Sequence, residues 1–258
     1  MDRLENLNAI IQGLMADEHV SHRMPSSLHE KQRMMRALMN VWEPREISAA
    51  FLAMQDAELQ LQAEDKGVVA IKGEGLQLWQ GDITRLKVDA IVNAANAQGL
   101  GCWAPLHNCI DNCIHSAAGI QLRKECYDQL QGRLLKTGEA MITKGYNLPA
   151  KHVIHTVGPI IDIGIPTKEQ EELLAQCYRS CLALAEQAGL ESIAFCCIST
   201  GVFHFPNERA AEIAVETVKR YPRESVKTVV FNVFLDKDYD IYKQLIIRQW
   251  TRYYSCIN

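Results

Sequence analysis

Along the first 66 or so residues the apolar positions repeat at helical spacing; beyond them they gather into short runs that alternate with further helical stretches. Leu4, Leu7, Ile10, Ile11 and Leu14 fall on one face of a helix. A break at Met24-Pro25-Ser26-Ser27 follows, and Ser26 or Ser27 is placed to cap a second helix carrying Met34, Met35, Leu38 and Met39. Pro44 suits the opening of a third, through Ile47, Phe51, Met54 and Leu59. The polar stretch Ala63–Gly67 then marks a boundary. These features divide the chain into a helical N-terminal extension, residues 1–67, and a main domain, residues 68–258. The methionine stripe fits packing in a core, with a partner groove as the alternative.

In the main domain the apolar runs Leu76–Trp79, Ala90–Ala94, Ala140–Gly145, Val153–Val157, Ile193–Ile198 and Val229–Phe234 predict strands. Helical patterns cover Asp111–Gln129, Lys168–Ala188, Pro206–Arg220 and Tyr239–Trp250. This alternation predicts a three-layer α/β/α sandwich with a mixed, largely parallel sheet. In that architecture ligands bind at loops beyond the carboxyl ends of the strands. The most unusual segments follow the first, second and fifth strands: Gly81-Asp82-Ile83-Thr84, Asn93-Ala94-Ala95-Asn96 and Ser199-Thr200-Gly201-Val202-Phe203.

Composition narrows the function classes. A hydrophobic share of 48% and a charged share of 22% belong to an ordinary globular chain. A net charge of −4 gives no electrostatic reason to expect nucleic-acid binding. No apolar run is long enough to span a bilayer, and the acidic start carries no signal-peptide core. The nine cysteines, Cys256 among them, are odd in number and sit mostly in apolar segments, which argues against a disulfide framework and for a reducing, cytoplasmic setting.

The densest chemistry lies between Asn93 and Cys126. Cys102, His107 and Cys109 occur within eight positions, just before a helix. Thiolate and imidazole are preferred zinc ligands, and a loop this short can bring all three to one ion. Three protein ligands leave a coordination position open, as catalytic zinc sites do. Asp111, at the helix start, is a candidate to align or deprotonate a water, and it also suits a plain helix cap. Asn93 suits fixing the loop backbone; Asn96, nearer the metal loop, suits a ligand contact. The Ser199–Phe203 loop, with Pro206 opening a helix, can aim backbone N–H groups at phosphate oxygens, and Phe203 is not expected to face the core. Cys113, Cys126, Cys177, Cys181, Cys196 and Cys197 read as small core residues. His115, one turn after Asp111, reads first as a helix histidine bonded to backbone. His152 and His155 offer no ligand spacing, and His204 is an outside candidate for a metal or phosphate contact.

Taken together, the GDIT turn, the NAAN run, the IDNCIHSAAG helix start and the STGVFHFP loop resemble the macrodomain family of ADP-ribose-binding modules over roughly residues 70–250. The chain is most similar to the zinc-containing branch of microbial protein-ADP-ribose hydrolases, which carry a helical N-terminal extension and a Cys-x4-His-x-Cys insertion. The resemblance implies one zinc ion on Cys102, His107 and Cys109. It places Asp82 on the adenine amine with Ile83 nearby, and Asn96 on the distal ribose. It sets Ile110, Asp111 and Asn112 against ribose and diphosphate, and makes Ser199, Thr200, Gly201, Val202 and Phe203 the second phosphate and ribose loop. The activity implied is removal of mono-ADP-ribose from modified protein side chains by cleavage at the distal ribose C1″, with Asp111 and Asn96 catalytic. The alternatives are an ADP-ribose reader with a structural zinc and an O-acetyl-ADP-ribose deacetylase. The partners implied are ADP-ribose and a mono-ADP-ribosylated protein of lipoate-carrier type, with no nucleic acid, no membrane, and a monomeric state. One departure stands out: the segment Gly101–Cys109 replaces the glycine-rich run of zinc-free hydrolytic members.

Overall fold

Three helices come first: α1 (Arg3–Asp17), α2 (Leu28–Val41) and α3 (Ala49–Lys66). The computed structural model describes residues 2–162 and 164–255, with side chains up to 247. Ser27 caps α2 through its hydroxyl, which accepts the Glu30 N–H. The third helix begins later than Pro44: Ser48 accepts the Phe51 N–H and supplies the cap, so Pro44 sits in the extended link before it. The polar residues 63–66 finish α3, and the helix stops at Gly67, whose φ of 79° is left-handed. The apolar face of α1 (Leu7, Ile10, Ile11, Leu14) packs with Met35, Leu38, Met39, Trp42 and Leu59, and with Ile120 of the main domain. The methionines are thus core material, and the extension shares its core with the domain it covers.

The main domain is built on a six-stranded sheet of β2 (Gly75–Gln80), β8 (Thr228–Val233), β7 (Ser192–Phe195), β4 (Ala90–Ala94), β6 (His152–Thr156) and β5 (Ala140–Lys144), in that order. Only β5 is antiparallel to its neighbour. Two short strands, β1 (Val69–Ala70) and β3 (Leu86–Lys87), pair separately. The predicted strands are all present, with ends shifted; the fifth stops at Phe195 rather than Ile198. The stretch predicted as one helix from Asp111 is two, α4 (Ile110–Ala118) and α5 (Ile120–Leu130), broken at Gly119 with φ 102°. Helices α6 (Lys168–Gln187), α7 (Asn207–Arg220) and α8 (Asp236–Ser255) pack in a row on one face; α4, α5 and the extension cover the other. The central strands are buried on both faces, as a parallel sheet between helices requires. Because β2, β7 and β4 run the same way, the loops after all three emerge at one edge of the sheet. Among the described residues no helix is long and apolar enough to cross a membrane.

Candidate active site

After β2, Asp82 caps a short 3₁₀ turn, Ile83–Arg85: Oδ1 accepts the Thr84 N–H at 3.0 Å and its hydroxyl at 2.7 Å, while Lys66 Nζ stands 3.4 Å from Oδ2. Burial pushes the Asp82 pKa up, but Thr84 and Lys66 outweigh it and hold the group below the usual carboxylate range. After β7, Ser199 adopts a left-handed φ of 66°, Gly201 and Val202 are exposed, and Phe205 is buried and anchors the loop. Phe203 is half-buried, and its carbonyl accepts the Ile161 N–H at 2.9 Å. That bond ties in a segment the sequence did not single out, residues 158–161 after β6. A Cβ on Gly158 would stand 2.0 Å from Ser199 Oγ, so only glycine allows the two loops to meet so closely.

The loop between β4 and α4 brings Cys102, His107 and Cys109 together, with Sγ, ring nitrogen and Sγ all within 4.8 Å of one another. Cys102 Sγ lies 3.6 Å from His107 Nδ1, and Cys109 caps α4 through its sulfur, which accepts the Asn112 N–H. The Cys109 thiol is raised by burial first, then by the Cys102 sulfur beside it. Two thiols and an imidazole converging at the surface form a donor set that fits a metal cation, whose charge would relieve that crowding.

Asp111 is 5% exposed and sits in the first turn of α4, behind this loop. The cap is Cys109, so Asp111 is released from that duty. Its Oδ1 accepts from Asn93 Nδ2 at 2.7 Å and its Oδ2 faces Asn96 Nδ2 at 3.4 Å. Burial raises its pKa to about 6, against the pull of Asn93 and Arg123. Both asparagines reach this carboxylate, from different places. Asn93, wholly buried on β4, holds Asp111 and His155 Nδ1 (3.1 Å) rather than the loop backbone. Asn96 organises the loop: Oδ1 accepts the N–H groups of Gln98 and Gly99, and Nδ2 donates to the Gly101 carbonyl.

Behind Asp111 lies a buried group that spacing gave no sign of: His115, Cys126 and His155, from α4, α5 and β6. His155 is packed as a neutral ring between Asn93 and Thr143 (Nε2 to Oγ1, 3.0 Å), and burial draws its pKa down to about 3. The backbone bond expected of His115 is absent; its Nε2 lies 3.6 Å from Asp111 Oδ1, and burial also keeps this ring neutral. The Asn112 amide has Oδ1 on Arg36 and Nδ2 on the Ala104 carbonyl. Cys113 is half-buried beside Arg36, and Cys197 is half-buried too, whereas Cys126, Cys177, Cys181 and Cys196 are core residues. These eight cysteines are free, and Cys256 lies outside the described residues. His204 is exposed at a left-handed φ of 57°. A cavity of about 460 Å³ runs between extension and main domain, lined by Arg33, Arg36, Lys66, Asp82, Leu106 and Cys113 among others.

The sequence and the fold are both similar to those of known proteins. The model of the Macro domain family matches residues 92–214. A Staphylococcus aureus protein named Protein-ADP-ribose hydrolase is 48% identical over 96% of this chain and 99% of its own length. A Treponema medium protein of the same name is 49% identical over 87% of this chain and 90% of its own. Among solved structures, the Oceanobacillus iheyensis macrodomain with ADP is 40% identical with a TM-score of 0.61, covering 69% of this chain and 92% of that one. The Trypanosoma brucei macrodomain in complex with ADP-ribose is 29% identical with a TM-score of 0.62, over 86% and 97%. The chain therefore belongs to the macrodomain family.

Proposed function

We propose that this protein is a protein-ADP-ribose hydrolase that frees mono-ADP-ribose from modified side chains by cleaving at the distal ribose C1″. The observation that carries this reading is the likeness to proteins named Protein-ADP-ribose hydrolase along nearly the whole chain, extension included. In this reading Asp82 accepts from the adenine amine beside Ile83. The backbone of Ile110 and Asp111 and the loop Ser199, Thr200, Gly201, Val202 and Phe203 cradle the diphosphate and riboses. Asn112 acts through the metal loop it supports.

Cleavage at an anomeric carbon develops positive charge on the sugar, so it needs a placed nucleophile and a negative group nearby. Asp111 meets both demands. Asn93 and Asn96 fix its two oxygens, and a pKa near 6 leaves it ionised at neutral pH yet basic enough to take a proton from water at Oδ2. Asn96 sits between this carboxylate and the loop, and the 3.4 Å contact of its Nδ2 with Asp111, the longest it makes, is the one it would give up to meet a ribose hydroxyl. Cys102, His107 and Cys109 would hold one zinc ion, which when bound supplies Lewis acidity toward an oxygen ligand.

The test is release of ADP-ribose from Asp/Glu-, Ser- and Arg-linked substrates, a modified lipoate-carrier-type protein among them, by wild type and Asp111→Ala. We expect wild type to release ADP-ribose and Asp111→Ala to bind it while turning over slowly. Tight binding with no release would make the protein a reader; release of acetate alone from O-acetyl-ADP-ribose would make it a deacetylase.

A further inference from the structure

The extension reaches the Cys102–Cys109 loop from outside the sheet, grips it directly at two points and braces a third through Asn112 of α4. Arg36 on α2 donates through Nη2 to the His107 carbonyl at 2.7 Å. The same guanidinium holds Asn112 Oδ1 through Nε (3.2 Å) and Nη2 (2.8 Å), and Asn112 Nδ2 in turn holds the Ala104 carbonyl at 2.9 Å. One turn further along α2, Asn40 Oδ1 accepts the Leu106 N–H at 2.9 Å, and its Nδ2 donates to Ser116 Oγ at 3.0 Å. The backbone is thus pinned on either side of the His107 Cα, at the Leu106 N–H and the His107 carbonyl.

His107 needs that grip. Its side chain is exposed, so packing does little to orient it. Leu106 before it has a left-handed φ of 60°, which a branched L residue rarely adopts unless its surroundings impose it. Asn40 is 1% exposed, and its amide is fully committed between loop and α4. All of these bonds bear on the middle donor of the three.

We infer that Arg36 and Asn40 are positioning residues that hold His107 between Cys102 and Cys109, making the N-terminal extension a working part of the metal site. The inference rests on reading that loop as a zinc site. It explains why a surface loop rich in strained and polar backbone is ordered against a separate helical layer: the main domain fixes the loop's beginning through Asn96, and the extension fixes its end.

The test is Zn²⁺ affinity of the full chain, read by competition with a chromophoric chelator. Removing partners that orient metal ligands costs about 10–100-fold in affinity, so Arg36→Ala and Asn40→Leu should each weaken zinc by roughly tenfold or more. Asn40→Asp keeps the acceptor for the Leu106 N–H and should stay near wild type. Leu14→Ala, a cavity in the extension core far from the loop, should lower thermal stability and leave zinc affinity unchanged. Wild-type affinity in Arg36→Ala or Asn40→Leu removes that residue from the role, and an equal loss in Leu14→Ala reduces the effect to stability and overturns the inference. A wild-type chain that binds no zinc refutes the metal reading itself, a separate outcome from tight binding that the extension variants fail to change.

Discussion

Replacing Arg123 with methionine should loosen the joint between the two helical layers. Arg123 is 2% exposed and lies on α5. Its Nη1 donates to the carbonyls of Met39, Asn40 and Trp42, at 3.1, 3.0 and 2.8 Å, and its Nε donates to the Leu100 carbonyl at 2.7 Å. The first three belong to the end of α2, where carbonyls lack partners within the helix and a positive charge is favoured. The guanidinium also lies 4.1 Å from the centre of the Trp103 ring in the Cys102–Cys109 loop. Nη1 has two N–H groups to share among its three carbonyls, so with Nε the guanidinium makes three full bonds, and at about 1.5–3 kcal/mol each for a charged donor they come to about 4.5 kcal/mol at the lower end. Burial draws the Arg123 pKa down to about 10, from 12.5 for the free group, which offsets about 3 kcal/mol at 1.36 kcal/mol per pH unit. The net loss expected for Arg123→Met is therefore about 1.5 kcal/mol, or roughly 3–6 °C in Tm for a chain this size. Scanning calorimetry at pH 7 measures it. A fall of less than about 2 °C would show that the carbonyls find other partners and that the joint contributes little.

Three further outcomes follow from the geometry. Gly158→Ala forces a methyl group against Ser199 Oγ and should cost about 1–3 kcal/mol while weakening ADP-ribose binding; calorimetric titration with ADP-ribose that matches wild type would contradict the loop contact. His155 binds no proton when folded until pH falls to about 3, whereas unfolded it does so near 6.5, so acid destabilises the fold progressively below pH 6.5. At pH 5 this one ring accounts for about 2 kcal/mol, and His155→Gln should shrink the stability difference between pH 7 and pH 5 by about that much in urea unfolding. His115 and Cys126 face the same ring, and His115 adds to the acid loss in the same direction, so some pH dependence should survive in the variant. Asn93→Leu removes the anchor of Asp111 Oδ1 and should lower kcat roughly tenfold or more with ADP-ribose affinity little changed; an unaltered kcat would separate Asn93 from the reaction.

Local pattern carried most of the architecture. The apolar runs of the sheet, the Ser27 cap and the sheet-edge loops can be read from residue types at fixed spacing, because short-range sterics and burial decide them. Cys102, His107 and Cys109 were legible for the same reason, as neighbours in one loop. The break at Gly119 was not, since helical periodicity continues on both sides of it. Nor was the buried set of His115, Cys126 and His155, which three separate elements contribute. That Asn93 holds Asp111 and His155 rather than the loop backbone was hidden too, because strand alternation turns its side chain into the core. Arg36, Asn40 and Arg123 gave no signal at all: a polar residue on a helix looks solvated until its partner some 70–80 positions away is known.

Whether hydrolysis depends on the Cys102–His107–Cys109 loop is decided by measuring ADP-ribose release from a mono-ADP-ribosylated protein by wild type with zinc, by wild type stripped with a chelator, and by His107→Ala. Release by the first, its loss in the other two and its return when zinc is restored to stripped wild type are the results the account predicts. Full release by stripped wild type or by His107→Ala would contradict it.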